Sequence, residues 1–181
     1  MAELASNAAG SNAAGSNAEG SNAELSALRD CLDYQRGHVL GILEGLSEED
    51  LRRPVLPSGW TCLGLVNHLA LDVERFWFRA VVAGQQVDLA DGDAAWQVGP
   101  EVPAQAVFDR YREEVALADA VLTSTPLDAA PAWWPSSVFP DLPPRDLRNN
   151  ILAVITETAN HAGHLDAVRE LIDGRTWLVL T

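Results

Sequence analysis

The sequence predicts an all-α fold, a four-helix bundle with long crossover connections. Four segments carry apolar residues at the three- and four-residue spacing that is typical of amphipathic helices. Two long connections, residues 85–102 and about 125–143, separate the later helices and are rich in Gly, Asp or Pro. No segment alternates apolar and polar residues over a sustained length, and only the short stretch 177–180 is compatible with a strand.

The first 24 residues are predicted to form a flexible low-complexity tail, and the bundle is expected to span residues 25–181. Residues 6–25 repeat a pentapeptide of Ser, Asn, Ala and Gly with small changes. Such side chains leave little apolar surface to bury, and Gly and Asn disfavour a continuous helix. The folded domain is therefore expected to begin near Leu25.

Capping residues and prolines predict where the first two helices begin and end. The first helix carries apolar residues at helical spacing as far as Leu46. A short helical turn is expected from Ser47, and Pro54 stops it. Thr61 is the expected N-cap of the second helix, and Gly84 follows its end.

The two remaining helices are predicted from the same signals. The third starts around Pro103 and carries apolar residues to Leu122. The last runs from about Pro144 to Asp173, and Gly174 stands where a C-terminal glycine is expected.

Composition excludes several classes of protein. The chain has 181 residues, 26 acidic against 12 basic side chains and a net charge of −14, and every basic residue is Arg. Such a field disfavours nucleic acid and anionic membranes as partners. No apolar stretch approaches the roughly 20 residues that a membrane span needs, and no signal-peptide core follows Met1. With only two cysteines, Cys31 and Cys62, the expected location is the cytoplasm.

Histidines and carboxylates at helical spacing predict a metal site. On the last helix, Glu157, His161 and His164 fall within about 60° along one edge of the apolar stripe. His68 flanks the apolar face of the second helix, and Asp72 follows one turn later, where it can accept a hydrogen bond. Two imidazoles and a carboxylate form an open N/O ligand set, with Zn²⁺ preferred and Ni²⁺, Mn²⁺ or Fe²⁺ compatible. The alternative is that each histidine is a hydrogen-bonded helix residue.

Aromatic and basic residues supply further candidates for a binding site. Arg75 and Arg79, one turn apart, either receive an anionic group or lie on a solvated face. Tryptophans either pack in the core or line a pocket, and a Trp pair in a Pro-rich connection is suited to cap a cleft. These tryptophans are Trp60, Trp77, Trp133 and Trp134.

Two runs of sequence resemble a known superfamily. SGWTCLGLVNHLALDVERFWFR (58–79) and ITETANHAGHLDAVRELIDG (155–174) are similar to the DinB-like superfamily, and most similar to its DUF664, mycothiol-dependent transferase and maleylpyruvate isomerase-like branch. The resemblance extends over roughly residues 26–175. It implies a four-helix bundle, a divalent metal between the second and last helices, and a homodimer.

The resemblance also implies roles for individual residues. By position, the metal ligands are His68, Glu157 and His161. His164 stands where many relatives have Gln, so it is either a substitute ligand or a proton carrier beside the metal. Relatives of this branch often carry Arg at the position of Asn160, so a cofactor contact made there is altered or missing.

The activity implied is conjugation of a low-molecular-weight thiol to an electrophile through a metal-activated thiolate. His164 or Asp72 would handle the proton, and Trp60, Arg75 and Arg79 are candidate contacts to the thiol cofactor. The acidic chain disfavours the anionic bacillithiol, so mycothiol is the expected thiol. The alternatives are a thiol-independent metal-dependent hydrolase or isomerase, and a non-catalytic metal-binding stress protein.

Overall fold

The computed structural model describes residues 6–177, with side chains from residue 20 onwards. Between residues 6 and 177 there is no β-strand, which confirms the all-α prediction. The α-helices are α1 (Ser6–Leu43), α2 (Glu48–Arg52), α3 (Cys62–His68), α4 (Ala104–Ser124) and α5 (Leu147–Asp173). Helix α3 continues without a break into a π-helical segment, Leu69–Val82. A 3₁₀ helix, Gly92–Trp96, lies in the connection between this segment and α4.

The long helices pack in pairs around one apolar core. Helix α1 lies along α5, and α4 lies along the π-helical segment. The core-facing stripe expected on the last helix is buried, including Ile151, Thr158 and Leu165. Removal of these side chains from water stabilises the bundle. No helix of the described residues is long and apolar enough to cross a membrane.

The predicted helix starts at Thr61 and Ser47 are confirmed. The Thr61 hydroxyl accepts a hydrogen bond from the Gly64 amide at 3.0 Å, and this cap begins α3. The Ser47 hydroxyl accepts from the Asp50 amide at 3.1 Å and begins the short α2. Each cap satisfies an amide that the first turn of a helix leaves without a partner.

Helix α5 begins slightly later than predicted. Its N-cap is Asp146, whose carboxylate accepts from the Asn149 amide at 2.9 Å, so Pro144 precedes the helix. Its end agrees with the prediction, because Gly174 adopts a φ of 80°, a left-handed conformation that glycine reaches without strain.

Helix α1 differs most from the prediction. It extends from Ser6 through the pentapeptide repeat, where the composition predicts a flexible tail. The repeat contains no proline and is rich in Ala, so a helix nucleated by the packed part can propagate into it. Just after the repeats begin to give way to the apolar sequence, Glu24 accepts a hydrogen bond from Arg148 of α5 at 3.0 Å. The domain boundary at residue 25 stays a prediction, and residues 1–5 and 178–181 lie outside the described part.

A buried ion pair anchors the π-helical segment to α1. Arg36 donates to both oxygens of Glu74, at 2.8 and 2.7 Å, and the two side chains are 5% and 1% exposed. Arg36 also donates to Asp33 and Asp119. Burial raises the pKa of Glu74, and the hydrogen bonds from Arg36 oppose that shift. The bidentate geometry fixes the rotation of the segment relative to α1.

Breaking this ion pair is expected to destabilise the bundle strongly. Arg36→Met leaves the Glu74 carboxylate buried without its partner, and the expected loss is about 3–5 kcal/mol in the free energy of unfolding. Urea unfolding followed by circular dichroism measures it. The double variant Arg36→Met/Glu74→Leu should recover most of the loss, because the buried carboxylate is gone and the other two partners of Arg36, Asp33 and Asp119, are partly exposed to water. A single variant as stable as the wild type would contradict this view.

Candidate metal site and adjoining cleft

Three predicted ligands meet between α3 and α5. His68 is the last residue of α3, and Glu157 and His161 stand one turn apart on α5. Taking one ligand atom from each side chain, all three atoms lie within 4.8 Å of one another. Glu157 Oε1 is 3.0 Å from His161 Nε2 and 4.0 Å from His68 Nε2. The helix-wheel prediction for these residues thus corresponds to a cluster in space.

The imidazoles of this cluster each have one nitrogen that lacks a partner. His68 Nε2 and His161 Nδ1 are buried and accept or donate no hydrogen bond within the described part of the chain. A buried polar atom left without a partner costs about 1–3 kcal/mol. Neutral imidazole and carboxylate are a suitable ligand set for a borderline divalent cation. The residues present therefore fit a divalent metal.

Asp72 orients His68 within the cluster. Its Oδ2 is 2.9 Å from His68 Nδ1. A carboxylate only accepts hydrogen bonds, so Nδ1 carries the proton and Nε2 keeps its lone pair for a ligand. This is the usual arrangement behind a metal-binding histidine. The sequence expectation that Asp72 supports His68 agrees with this geometry.

The surroundings of His161 disfavour its protonated form. Burial lowers the pKa of His161, nearby charge on His68 lowers it further, and Glu157 opposes the shift. The net direction is downwards. Metal binding requires the neutral imidazole, so this environment favours the state with a free lone pair.

Trp96 covers His68 from the connection after the π-helical segment. The two rings stack at a centroid distance of 4.1 Å and an interplanar angle of 16°. Asn67, buried, donates to the Ala95 carbonyl at 2.7 Å and so holds the 3₁₀ helix in place. A Cβ at Gly64 would collide with the Trp96 carbonyl oxygen. Sequence reasoning missed Trp96, although Gly64 and Asn67, two weak helix formers inside a predicted helix, were a signal.

A cleft of about 730 Å³ opens beside the cluster. This volume lies within the usual range for a small-molecule site. His68, Asp72 and Glu157 line the cleft together with an apolar wall and Arg145. The apolar wall consists of Val73, Phe76, Trp77, Val138 and Phe139.

Aromatic packing holds the wall in place. The rings of Trp77 and Phe139 stack at 5.7 Å, and Trp134 lies 5.9 Å from Trp77. Trp133 packs edge-on against Phe76 at 6.2 Å. The Pro-rich connection therefore covers one side of the cleft with aromatic residues, as the Trp pair predicts. Trp77 and Phe139 line the cleft directly, whereas Trp133 and Trp134 support them.

His164 and Trp60 lie beside the cluster and do not line this cleft. The exposed His164 has its ring 5.7 Å from that of His161 and 6.2 Å from that of Trp60. It is not part of the three-ligand group. Asn160 is exposed on the same helix. Of the two roles predicted for His164, the position agrees better with a proton carrier than with a ligand.

Arg75 and Arg79 are engaged elsewhere. Both donate to the buried Glu114 of α4, Arg75 at 2.7 Å and Arg79 at 2.8 Å. They do not line the cleft. Their guanidinium groups hold the π-helical segment against α4. This structural role accounts for both arginines without the predicted contact to a cofactor.

Comparison with known proteins supports the resemblance seen in the sequence. A family model described as mycothiol-S-transferase matches residues 27–174. Comparisons with curated proteins and with solved structures returned no match. The matched range nearly coincides with the range 26–175 over which the DinB-like resemblance extends, and it leaves out the pentapeptide repeat. The chain belongs to the mycothiol-S-transferase family, within the DinB-like superfamily.

Proposed function

We propose that the protein is a metal-dependent S-transferase that conjugates mycothiol to an electrophile. The observation that carries this proposal is the cluster of His68, Glu157 and His161 at the edge of an open cleft, with ligand atoms within 4.8 Å of one another and one buried, partnerless nitrogen on each imidazole. Family membership supports the thiol as co-substrate. The cluster provides ligands for the metal, and the cleft is large enough to bind a small organic substrate.

His68, Glu157 and His161 would hold the cation. A three-residue N/O set leaves coordination positions open, whereas closed structural zinc sites use four ligands that are usually rich in thiolates. Zn²⁺ is the proposed metal, and Ni²⁺, Mn²⁺ and Fe²⁺ suit the same ligands. When bound, the cation would lower the pKa of the mycothiol thiol and supply a thiolate nucleophile at neutral pH.

The chain's own groups would bind the substrates and move the proton. His164 is the proposed acceptor of the thiol proton, because it is exposed near His161 and Asp72 is occupied by His68. The aromatic wall holds the organic part of the electrophile and excludes water from the reacting centre. The thiol sulfur forms a bond to carbon, and the electrophile's leaving group departs with the electron pair.

Two wider features belong to the same proposal. A homodimer is implied by the DinB-like resemblance, and size-exclusion chromatography with light scattering tests it. A cytoplasmic location is favoured by the two unpaired cysteines, Cys31 and Cys62.

Metal binding is expected to depend on the three clustered residues. His68→Ala, His161→Ala and Glu157→Gln should each weaken Zn²⁺ affinity by at least about 100-fold, more than the 10–100-fold typical of losing a supporting group. Isothermal titration with Zn²⁺, with metal content by mass spectrometry, provides the measurement. His38→Ala is the matched control, since His38 also pairs with a helix carboxylate, Asp166, at 2.7 Å but lies outside the cluster. Full metal occupancy in His68→Ala and His161→Ala would refute the site.

Turnover is expected to require both metal and thiol. The purified protein should conjugate mycothiol to monochlorobimane, lose this activity on chelation and regain it with Zn²⁺, as followed by product fluorescence. The thioether forms as carbon–chlorine cleavage releases chloride. Processing of an electrophile without any thiol would favour the metal-dependent hydrolase or isomerase. Zn²⁺ binding that stabilises the fold without any turnover would favour a non-catalytic metal-binding protein.

A further inference from the structure

We infer that Arg145 binds a carboxylate of the electrophile, so that the preferred substrates are aromatic or apolar electrophiles that carry a carboxylate. This inference rests on the proposed function and narrows its substrate class. Three observations support it. Arg145 has no partner among the described residues, it lines the cleft, and an apolar wall lines the same cleft.

Arg145 differs from the other arginines of the chain. Within residues 20–177, each of the others hydrogen-bonds to a carboxylate, carbonyl, hydroxyl or amide oxygen, except the exposed Arg53, which forms an ion pair with Asp50. Arg145 makes no side-chain hydrogen bond or ion pair to any described residue, although 26 acidic residues are available to the chain. Its half-buried side chain instead lines the cleft beside the proposed metal site.

The chemistry of a guanidinium determines what it would receive there. It stays charged at any physiological pH and presents parallel donors that match a carboxylate. Asp72 and Glu157, which also line the cleft, are hydrogen-bonded to His68 and His161. Asp91 lines it as well and forms no ion pair with Arg145. Among the residues that the structure describes, the cleft therefore offers one unoccupied cationic group, Arg145, to a ligand.

Arg145 and the proposed metal site adjoin the same cleft. Arg145 comes just before Asp146, the N-cap of α5, and Glu157 lies on the helix itself. Phe76, Trp77 and Phe139 form the wall of the same cleft. A substrate bound in this cleft has its carboxylate at Arg145, an aromatic or apolar body on the wall and its reactive carbon near the histidines.

The carboxylate belongs to the electrophile and not to the thiol. Mycothiol is an amide-linked sugar thiol without a carboxylate, so its recognition needs hydroxyl and amide partners in place of a guanidinium. Loss of Arg145 should therefore change kinetics for the electrophile and leave the KM for mycothiol unaltered.

A pair of aryl chlorides tests substrate selection. 4-Chloro-3,5-dinitrobenzoate and its methyl ester share one reacting centre, where the thiol sulfur bonds to C4, the C–Cl bond breaks, chloride leaves and the thiol proton passes through His164 to solvent. Arg145→Met should lower kcat/KM for the benzoate by about 10- to 100-fold and change that for the ester by less than about twofold. For the benzoate, the kcat/KM of Arg145→Lys should lie between those of the wild type and Arg145→Met. Arg112→Met is the control, since the exposed Arg112 pairs with Asp109 outside the cleft.

A binding measurement separates this inference from the proposed function. 3,5-Dinitrobenzoate has no leaving group, and its binding can be followed by quenching of tryptophan fluorescence in the absence of thiol. Wild type and Arg112→Met should bind it at least about tenfold more tightly than Arg145→Met, and more tightly than they bind its methyl ester.

The outcomes are distinct. Equal affinity of wild type and Arg145→Met, equal affinity for acid and ester, or no binding of the acid would each overturn the role of Arg145, even if the enzyme conjugates mycothiol. Carboxylate-dependent binding without conjugation of either aryl chloride would support Arg145 and overturn the S-transferase proposal.

Discussion

The buried ion pair of Arg36 and Glu74 is the constraint on which the site depends. It fixes the π-helical segment against α1 six residues after His68. Arg75 and Arg79 then tie the same segment to Glu114 of α4, so ionic contacts hold it on two sides. Its remaining face carries the aromatic side chains that line the cleft. A segment held this firmly presents His68 and the cleft wall with little freedom, which is what a preorganised site requires.

The cluster itself is recognised by contrast with a histidine that is fully satisfied. His38 is hydrogen-bonded to Asp166 and stacks on Trp177 at 4.8 Å, so tertiary packing accounts for it. His68 and His161 are packed just as closely, at 13% and 12% exposure, yet each retains a buried nitrogen without a partner. A buried nitrogen without a hydrogen-bond partner lowers the stability of the fold. A ligand that supplies the missing partner explains why the bundle tolerates such an atom on each of two neighbouring imidazoles.

Helical periodicity was sufficient to predict much of this arrangement. Glu157 and His161 are one turn apart on any helix, and the capping side chains of Thr61 and Ser47 act within a few residues, so both follow from local sequence. Trp96 was missed, because its position depends on a hydrogen bond from Asn67 to the carbonyl of Ala95, a residue distant in sequence. The partner of Arg75 and Arg79 is likewise on another helix. The helix through the pentapeptide repeat escaped prediction since propagation from packed turns outweighs weak local propensity.

Arg145 bears on how so acidic a protein can accept an anion. A charge of −14 repels carboxylates at long range, but the Debye length of about 8 Å at physiological ionic strength screens most of that field. Selection of an anionic substrate must then come from short-range bonds inside the cleft, where a half-buried guanidinium is screened less. Carboxylates, carbonyls and other oxygens of the chain occupy the other arginines, which leaves Arg145, among the described residues, without a partner where a ligand can reach it. The net negative charge thus disfavours polyanionic partners that bind by long-range attraction. A small anionic substrate can still bind through its contact with Arg145.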